Sequence, residues 1–216
     1  MSKRFTATQL AAAAALALVV GGTAGFFLAP EGAEAKAVSA ESSCPEVGTS
    51  DSSSEAFGRI AGAGGDIRST MSEKGSTPNS YYYSCSVDVD GKGRLLLTAQ
   101  LTQSGSVSGW KRNLEQNGNI GATKDNKSFQ LGKTGVGVAS PFSAAVYLPC
   151  KPTGSKLSVK SNLAVEVTML RKGGDAEANR SDAAQVARAL AAHAQSGAHC
   201  EHAERLPAGP VEWAQS

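Results

Sequence analysis

YYYSCSVDVDGKGRLLLTAQLTQ, residues Tyr81 to Gln103, decides how the fold is read. In its first part Tyr81, Tyr83, Cys85, Val87 and Val89 alternate with Tyr82, Ser84, Ser86 and Asp88. A strand turns successive side chains to opposite faces, so this alternation makes one apolar face and one polar face. Asp90-Gly91 is a hairpin turn signal. Arg94 to Gln103 alternates again, with Leu95, Leu97, Ala99 and Leu101 on one side. The two runs predict an antiparallel hairpin in which Cys85 points into a core and Tyr82 points away from it.

The rest of the chain extends that sheet. Ser128 to Leu131 and Gly135 to Ser140 read as short strands, and Ala144 to Cys150 alternates with Val146, Leu148 and Cys150 together. Lys156 to Leu170 reads as the strongest strand, with Leu163, Val165, Val167 and Met169 on one face. It exceeds the usual strand length, which predicts a bend near Ser161. Ser181 to Gly197 reads as the best helix. Ala183, Val186, Ala187, Leu190, Ala191 and Ala194 form its apolar stripe, and Asp182 with Gln185 suggests a capping box. Ser50 to Ser54 can cap a weaker helix carrying Phe57 and Ile60, and Trp110 to Gln116 suits one or two helical turns. Thr77-Pro78-Asn79 reads as a turn, and no element is assigned to residues 66–76. These elements predict an α+β fold: an antiparallel sheet with helices packed on one face and two disulfides.

Lys3 and Arg4 precede twenty uncharged residues, Leu10 to Ala29. A basic flank before an apolar core is the pattern of an exported chain. Ala33-Glu34-Ala35 has the small-x-small form of a peptidase site, with Val38-Ser39-Ala40 as a second one. The core is long for a signal peptide and just long enough to span a bilayer. Residues 1–35 are therefore either a cleaved signal peptide or a retained transmembrane anchor, and a retained segment makes the membrane a partner. Both readings leave everything after Pro30 outside the cytoplasm. Residues 36–43 read as a linker, 44–206 as the extracytoplasmic domain and 207–216 as an extended tail.

Cys44, Cys85, Cys150 and Cys200 contain no C-x-x-C spacing, which excludes zinc ribbons and thioredoxin-type redox motifs. Outside the cytoplasm an even count reads as disulfides. Of the three connectivities we favour Cys44–Cys85 and Cys150–Cys200, because each pair then closes within one half of the chain.

The net charge of +2 excludes a strongly basic nucleic-acid binder, so no nucleic-acid partner is expected. Lys133-Thr134-Gly135 matches the third box of penicillin-binding proteins, but the chain has no Ser-Asp-Asn. Gly132-Lys133-Thr134 resembles the end of a P-loop, but Lys127 stands where the first glycine belongs. With no motif completed, neither a cofactor nor a catalytic residue is assigned. His199 and His202 flank Cys200 and could hold a metal, most readily if Cys200 were a thiolate. Tyr82 on the outer sheet face, with Trp110 near it in sequence, is the candidate binding surface, because exposed aromatics favour partner contacts.

The Ala/Gly-rich composition, the export segment and the phrases Tyr83-Ser84-Cys85 and Tyr147-Leu148-Pro149-Cys150 give the chain a family likeness. It resembles uncharacterised extracytoplasmic proteins of high-GC Gram-positive bacteria such as streptomycetes. The resemblance implies a cell-envelope location and a disulfide-linked α+β domain, and it carries over no catalytic residue. The function expected is a non-catalytic extracytoplasmic domain that binds a protein or a cell-envelope component. The alternatives are a hydrolase of an envelope polymer and a metal-binding protein using His199 and His202.

Overall fold

The computed structural model describes residues 38–62, 65–77, 79–91, 93–103, 105–117, 120, 125–156, 160–170, 173–207 and 209–214. The signal peptide or anchor expected over residues 1–35 lies outside them. Among the described residues no helix is long and apolar enough to cross a membrane.

The hairpin is present: β2 (Ser80–Val89) pairs antiparallel with β3 (Gly93–Thr102), with Cys85 opposite Leu97. A second meander follows, β4 (Lys127–Leu131), β5 (Gly135–Ser140) and β6 (Ser143–Pro149). Strand β8 (Asn162–Leu170) lies between the two meanders and pairs antiparallel with both β3 and β6. Its register sets Leu95 against Met169, Leu97 against Val167 and Ala99 against Val165, so the apolar faces of the two halves coincide. Shifting this pairing by one residue would expose every one of these side chains.

The sheet has seven strands because β1 (Ile67–Thr77) adds an edge beside β2. Sequence patterning assigned nothing to residues 66–76. As an edge strand, β1 leaves residues 68–74 exposed, so they carry no buried alternation to read. The strand expected from Lys156 instead begins at Asn162. Lys160 and Ser161 lie outside it, and Ser161 accepts a hydrogen bond from the Cys150 amide at 3.1 Å.

Helices α1 (Ala40–Ser43), α2 (Asp51–Ala61) and α4 (Ala176–Gly197) share one hydrophobic core with the sheet. Phe57 and Ile60 of α2 and the stripe from Ala183 to Ala194 on α4 are buried there. Ser50 caps α2 by accepting from the Ser53 amide at 3.3 Å. The capping box expected at Asp182 does not form. The helix starts five residues before Ser181, capped by Asp175, which accepts from the Ala178 amide at 2.7 Å. Asp182 is instead a buried helical residue paired with Arg59. Gly197 ends the helix against Tyr81, where an added Cβ would lie 2.6 Å from the ring.

The remaining helix, α3 (Val107–Asn117), packs on the other side of the sheet. Trp110 and Leu114 cover Ala145, Tyr147 and Ala164, whose sequence neighbours Val146 and Val165 belong to the main core. Helices α2 and α4 thus lie on one face, as expected, and α3 adds a small second layer over part of the other.

Both segments read as flanking the domain join it. In the stretch read as a linker, Val38, Ala40 and Ser43 are buried, the first two within the main core. The tail is extended but docked: the Ala214 amide donates to the Ser128 carbonyl, the Gln130 amide donates to the Glu212 carbonyl, and Trp213 meets Phe129 edge-on. It lies against the outer edge of β4, which would otherwise be unpaired. Two disulfides, Cys44–Cys85 and Cys150–Cys200, brace the fold, and no cysteine is free.

Candidate functional site

The site is built where β6 ends. Cys150 follows Pro149 and is tied to Cys200, just past the end of α4. The next residues make a small second sheet, β7 (Lys151–Pro152) against β9 (Cys200–Glu201). The amide and the hydroxyl of Thr153 both donate to the His199 carbonyl, at 2.8 and 2.9 Å. Lys151 pairs with Glu201 at 2.8 Å, and this bond holds the Glu201 carboxyl below the usual glutamate range. His199 and His202 bracket this strand with φ of 49° and 57°. They are the non-glycine residues in the left-handed region among those described, a conformation that costs about 1–3 kcal/mol and is kept only where its surroundings enforce it. Here the disulfide, the ladder and the ion pair enforce it.

This braced corner forms one wall of a cleft of about 780 Å³. The opposite wall is the start of α3, Gly105 to Val107, where Ser106 accepts from the Gly109 amide at 3.1 Å. Tyr147 and Pro149 contribute apolar surface, Lys151, Lys160 and His202 carry the basic groups, and Thr134, Ser155 and Ser161 bring hydroxyls. The volume falls in the range of organic-ligand pockets. Glu201 is the carboxylate of the lining and is already neutralised by Lys151, which leaves Lys160 to set the local charge. The arrangement suits a hydroxyl-rich ligand bearing negative charge, held by charge-assisted hydrogen bonds.

Of the residues singled out in the sequence, His202, the disulfide cysteine Cys150 and Thr134 of the incomplete Lys133-Thr134-Gly135 motif line this cleft. Cys200 is oxidised, so it offers no thiolate to a metal. Among the described residues no three His, Cys, Asp or Glu side chains are grouped as metal ligands. Trp110, expected on a binding surface, is an interior residue. It is 3% exposed, tilted against Tyr147 at 5.8 Å, because the apolar side of α3 must cover the sheet. Tyr82 is exposed at 39%, but outside the cleft. The registers place Tyr82, Gln100, Ala164 and Tyr147 in one lateral row, so Tyr82 stands three strands from Tyr147, about 14 Å at ordinary strand spacing.

The other two tyrosines of the triplet serve the opposite face. The Tyr81 hydroxyl donates to Glu73 at 3.1 Å and the Tyr83 hydroxyl to Glu46 at 3.3 Å. Burial, followed by the nearby carboxylates, pushes both phenols above the ordinary tyrosine range. His193 meets Tyr83 edge-on and lies 3.2 Å from Glu73. This cluster satisfies buried polar atoms at the edge of the core.

Lys151, Lys160, Ser106 and Ser161 were not distinguished in the sequence as site residues. They come from separate segments that only the sheet and the Cys150–Cys200 bond bring together. The single Ser-x-x-Lys spacing, Ser108 to Lys111, lies on α3. Ser108 shares a hydrogen bond with Ser106 at 3.2 Å, and neither Ser108 nor Lys111 lines the cleft. No family model, curated protein or solved structure matches the chain. The two disulfides are compatible with an extracytoplasmic location.

Proposed function

We propose that the chain is a non-catalytic extracytoplasmic domain that binds an anionic, hydroxyl-rich component of the cell envelope. Residues 1–35 either export it or anchor it to the membrane. The observation that carries this reading is the cleft beside Cys150–Cys200, with its lysines, hydroxyls and Tyr147 wall. Its residues supply positive charge and hydrogen bonds, while the principal carboxylate is occupied by Lys151. The test is retention on purified envelope polymers at low and at physiological salt. Retention that weakens with salt and is lost in a Lys151→Gln, Lys160→Gln double variant supports the reading. Failure to retain anything from the envelope overturns it.

A second reading, a hydrolase of an envelope polymer, draws on the presence of Ser106, Ser161, Glu201 and His202 in the same cleft. Catalytic release of fragments from peptidoglycan or ester substrates, abolished by His202→Gln, would replace binding with turnover.

A further inference from the structure

The cleft beside Cys150–Cys200 holds a polar side chain that the fold buries and leaves without a partner. Tyr147 lines the cleft and is 7% exposed. It stands in β6 between Val136 of β5 and Ala164 of β8, with the Trp110 ring of α3 against it at 5.8 Å. Among the described residues none accepts a hydrogen bond from its hydroxyl. Burial raises the phenol above the ordinary tyrosine range, and neither a hydrogen bond nor a neighbouring charge contributes. The Trp110 Nε1 is itself buried without an acceptor. An indole N–H only donates, so Trp110 cannot take the Tyr147 proton. Buried hydroxyls are hydrogen-bonded as a rule, because leaving the bond unmade is costly.

Other hydroxyl protons of the cleft are spent inside the fold. Thr134 donates to Glu204 at 3.0 Å and Ser155 donates to Asn79 at 2.9 Å, while Ser106 shares a bond with Ser108 at 3.2 Å. Lys151 is held by Glu201. Lys160 is exposed and forms no ion pair among the described residues, so its ammonium is left for an anion. Val107 and Pro149 add apolar surface. A pyranose ring offers C–H faces to such surface and oxygens to a donor, and a carboxylate on the ring supplies the counter-charge for Lys160. A polyol phosphate chain has the charge and the oxygens but no apolar face.

We propose that the cleft takes a carboxylate-bearing pyranose, an acidic sugar of the uronic class, with the Tyr147 hydroxyl donating to one of its oxygens and Lys160 holding its carboxylate. This rests on the reading of the cleft as the site for an anionic envelope component and narrows that component to an acidic glycan.

The test is calorimetric titration of the full chain in mild detergent with trigalacturonic acid, its methyl ester and a glycerol phosphate oligomer. The acid should bind at one saturable site, about tenfold or more tighter than either of the others. Tyr147→Phe keeps the ring against Trp110 and removes the hydroxyl alone. It should weaken the acid about tenfold, the scale of one lost hydrogen bond, with no fall in melting temperature. Lys160→Gln should abolish the preference for the acid over its ester. Undiminished binding of the acid by Tyr147→Phe, tighter binding of the phosphate oligomer, or a lowered melting temperature in Tyr147→Phe overturns the proposal. Failure of the acid to bind a protein that envelope polymers still retain overturns this proposal alone, whereas loss of that retention as well removes the reading on which it rests.

Discussion

Arg59 and Asp182, separated by 123 positions in the chain, form a two-pronged ion pair between α2 and α4. Nε donates to one carboxylate oxygen at 3.0 Å and an Nη donates to the other at 2.9 Å. The hydrogen bond to Asp182 raises the proton affinity of the guanidinium, against the lowering effect of burial. Asp182 is 6% exposed while Arg59 reaches solvent, so the arginine shields a carboxylate that would otherwise be buried alone. Arg59→Ala should destabilise the domain by about 2 kcal/mol, the scale of a lost hydrogen bond to a charged group. Asp182→Asn should be milder, because it removes the buried charge as well. Denaturant unfolding of both single variants and the double variant checks this, with a coupling energy near zero counting against the pair.

Reduction should be the largest single perturbation. The sequence separations of 41 and 50 residues correspond to about 4 kcal/mol per disulfide on the chain-entropy model. Cys150→Ala with Cys200→Ala should also open the corner that holds His199 and His202 in the left-handed region. Unfolding by urea, read alongside ligand retention, separates the two effects. Lost retention in a still-folded protein means that the crosslink shapes the cleft.

Gly137 should not accept a side chain. An added Cβ would lie 2.1 Å from the ring of Phe129, which is buried between β5 and Trp213. Gly137→Ala should cost about 1–3 kcal/mol by overpacking, and Phe129→Leu in the same chain should recover part of it. Thermal melting of the single and double variants tests this.

Acid should release the tail. The Glu204 carboxylate accepts from the Lys133 amide and from the amide and hydroxyl of Thr134, at 3.3 and 3.0 Å for the last two. These bonds, led by the Lys133 amide, hold its pKa below the usual glutamate value. A depressed folded-state pKa contributes stability that is present above the unfolded value, about 4.3, and is lost as pH falls through the folded value. Trp213 fluorescence in a Trp110→Phe background should therefore report tail undocking below about pH 4. Glu204→Gln should show a weakened tail already at neutral pH and less change on acidification. An unaltered acid profile in that variant would remove Glu204 as the cause.

Much of the architecture was legible in local pattern. The alternation in Tyr81–Gln103 located the hairpin. The stripe from Ala183 to Ala194 located the buried side of α4, and the spacing of four cysteines pointed to the observed pairing. Where pattern failed, the reason is physical. An edge strand such as β1 buries no alternating set, and Asp182, which resembles a cap, lies inside a helix that Asp175 caps seven residues earlier. The candidate cleft was hidden because its lysines and hydroxyls are ordinary polar residues in their own segments.

By itself the sequence determined what depends on near neighbours: strand and helix periodicity, turn chemistry, the export-like N-terminus and the oxidisable cysteines. The tertiary structure alone decided what depends on residues brought together from afar. It set β8 between the two meanders and turned Trp110 inward and Tyr82 outward. It also joined Lys151, Lys160 and His202 around one cavity. Periodicity is a property of consecutive backbone geometry, whereas burial and charge compensation follow from which surfaces the packed chain removes from water.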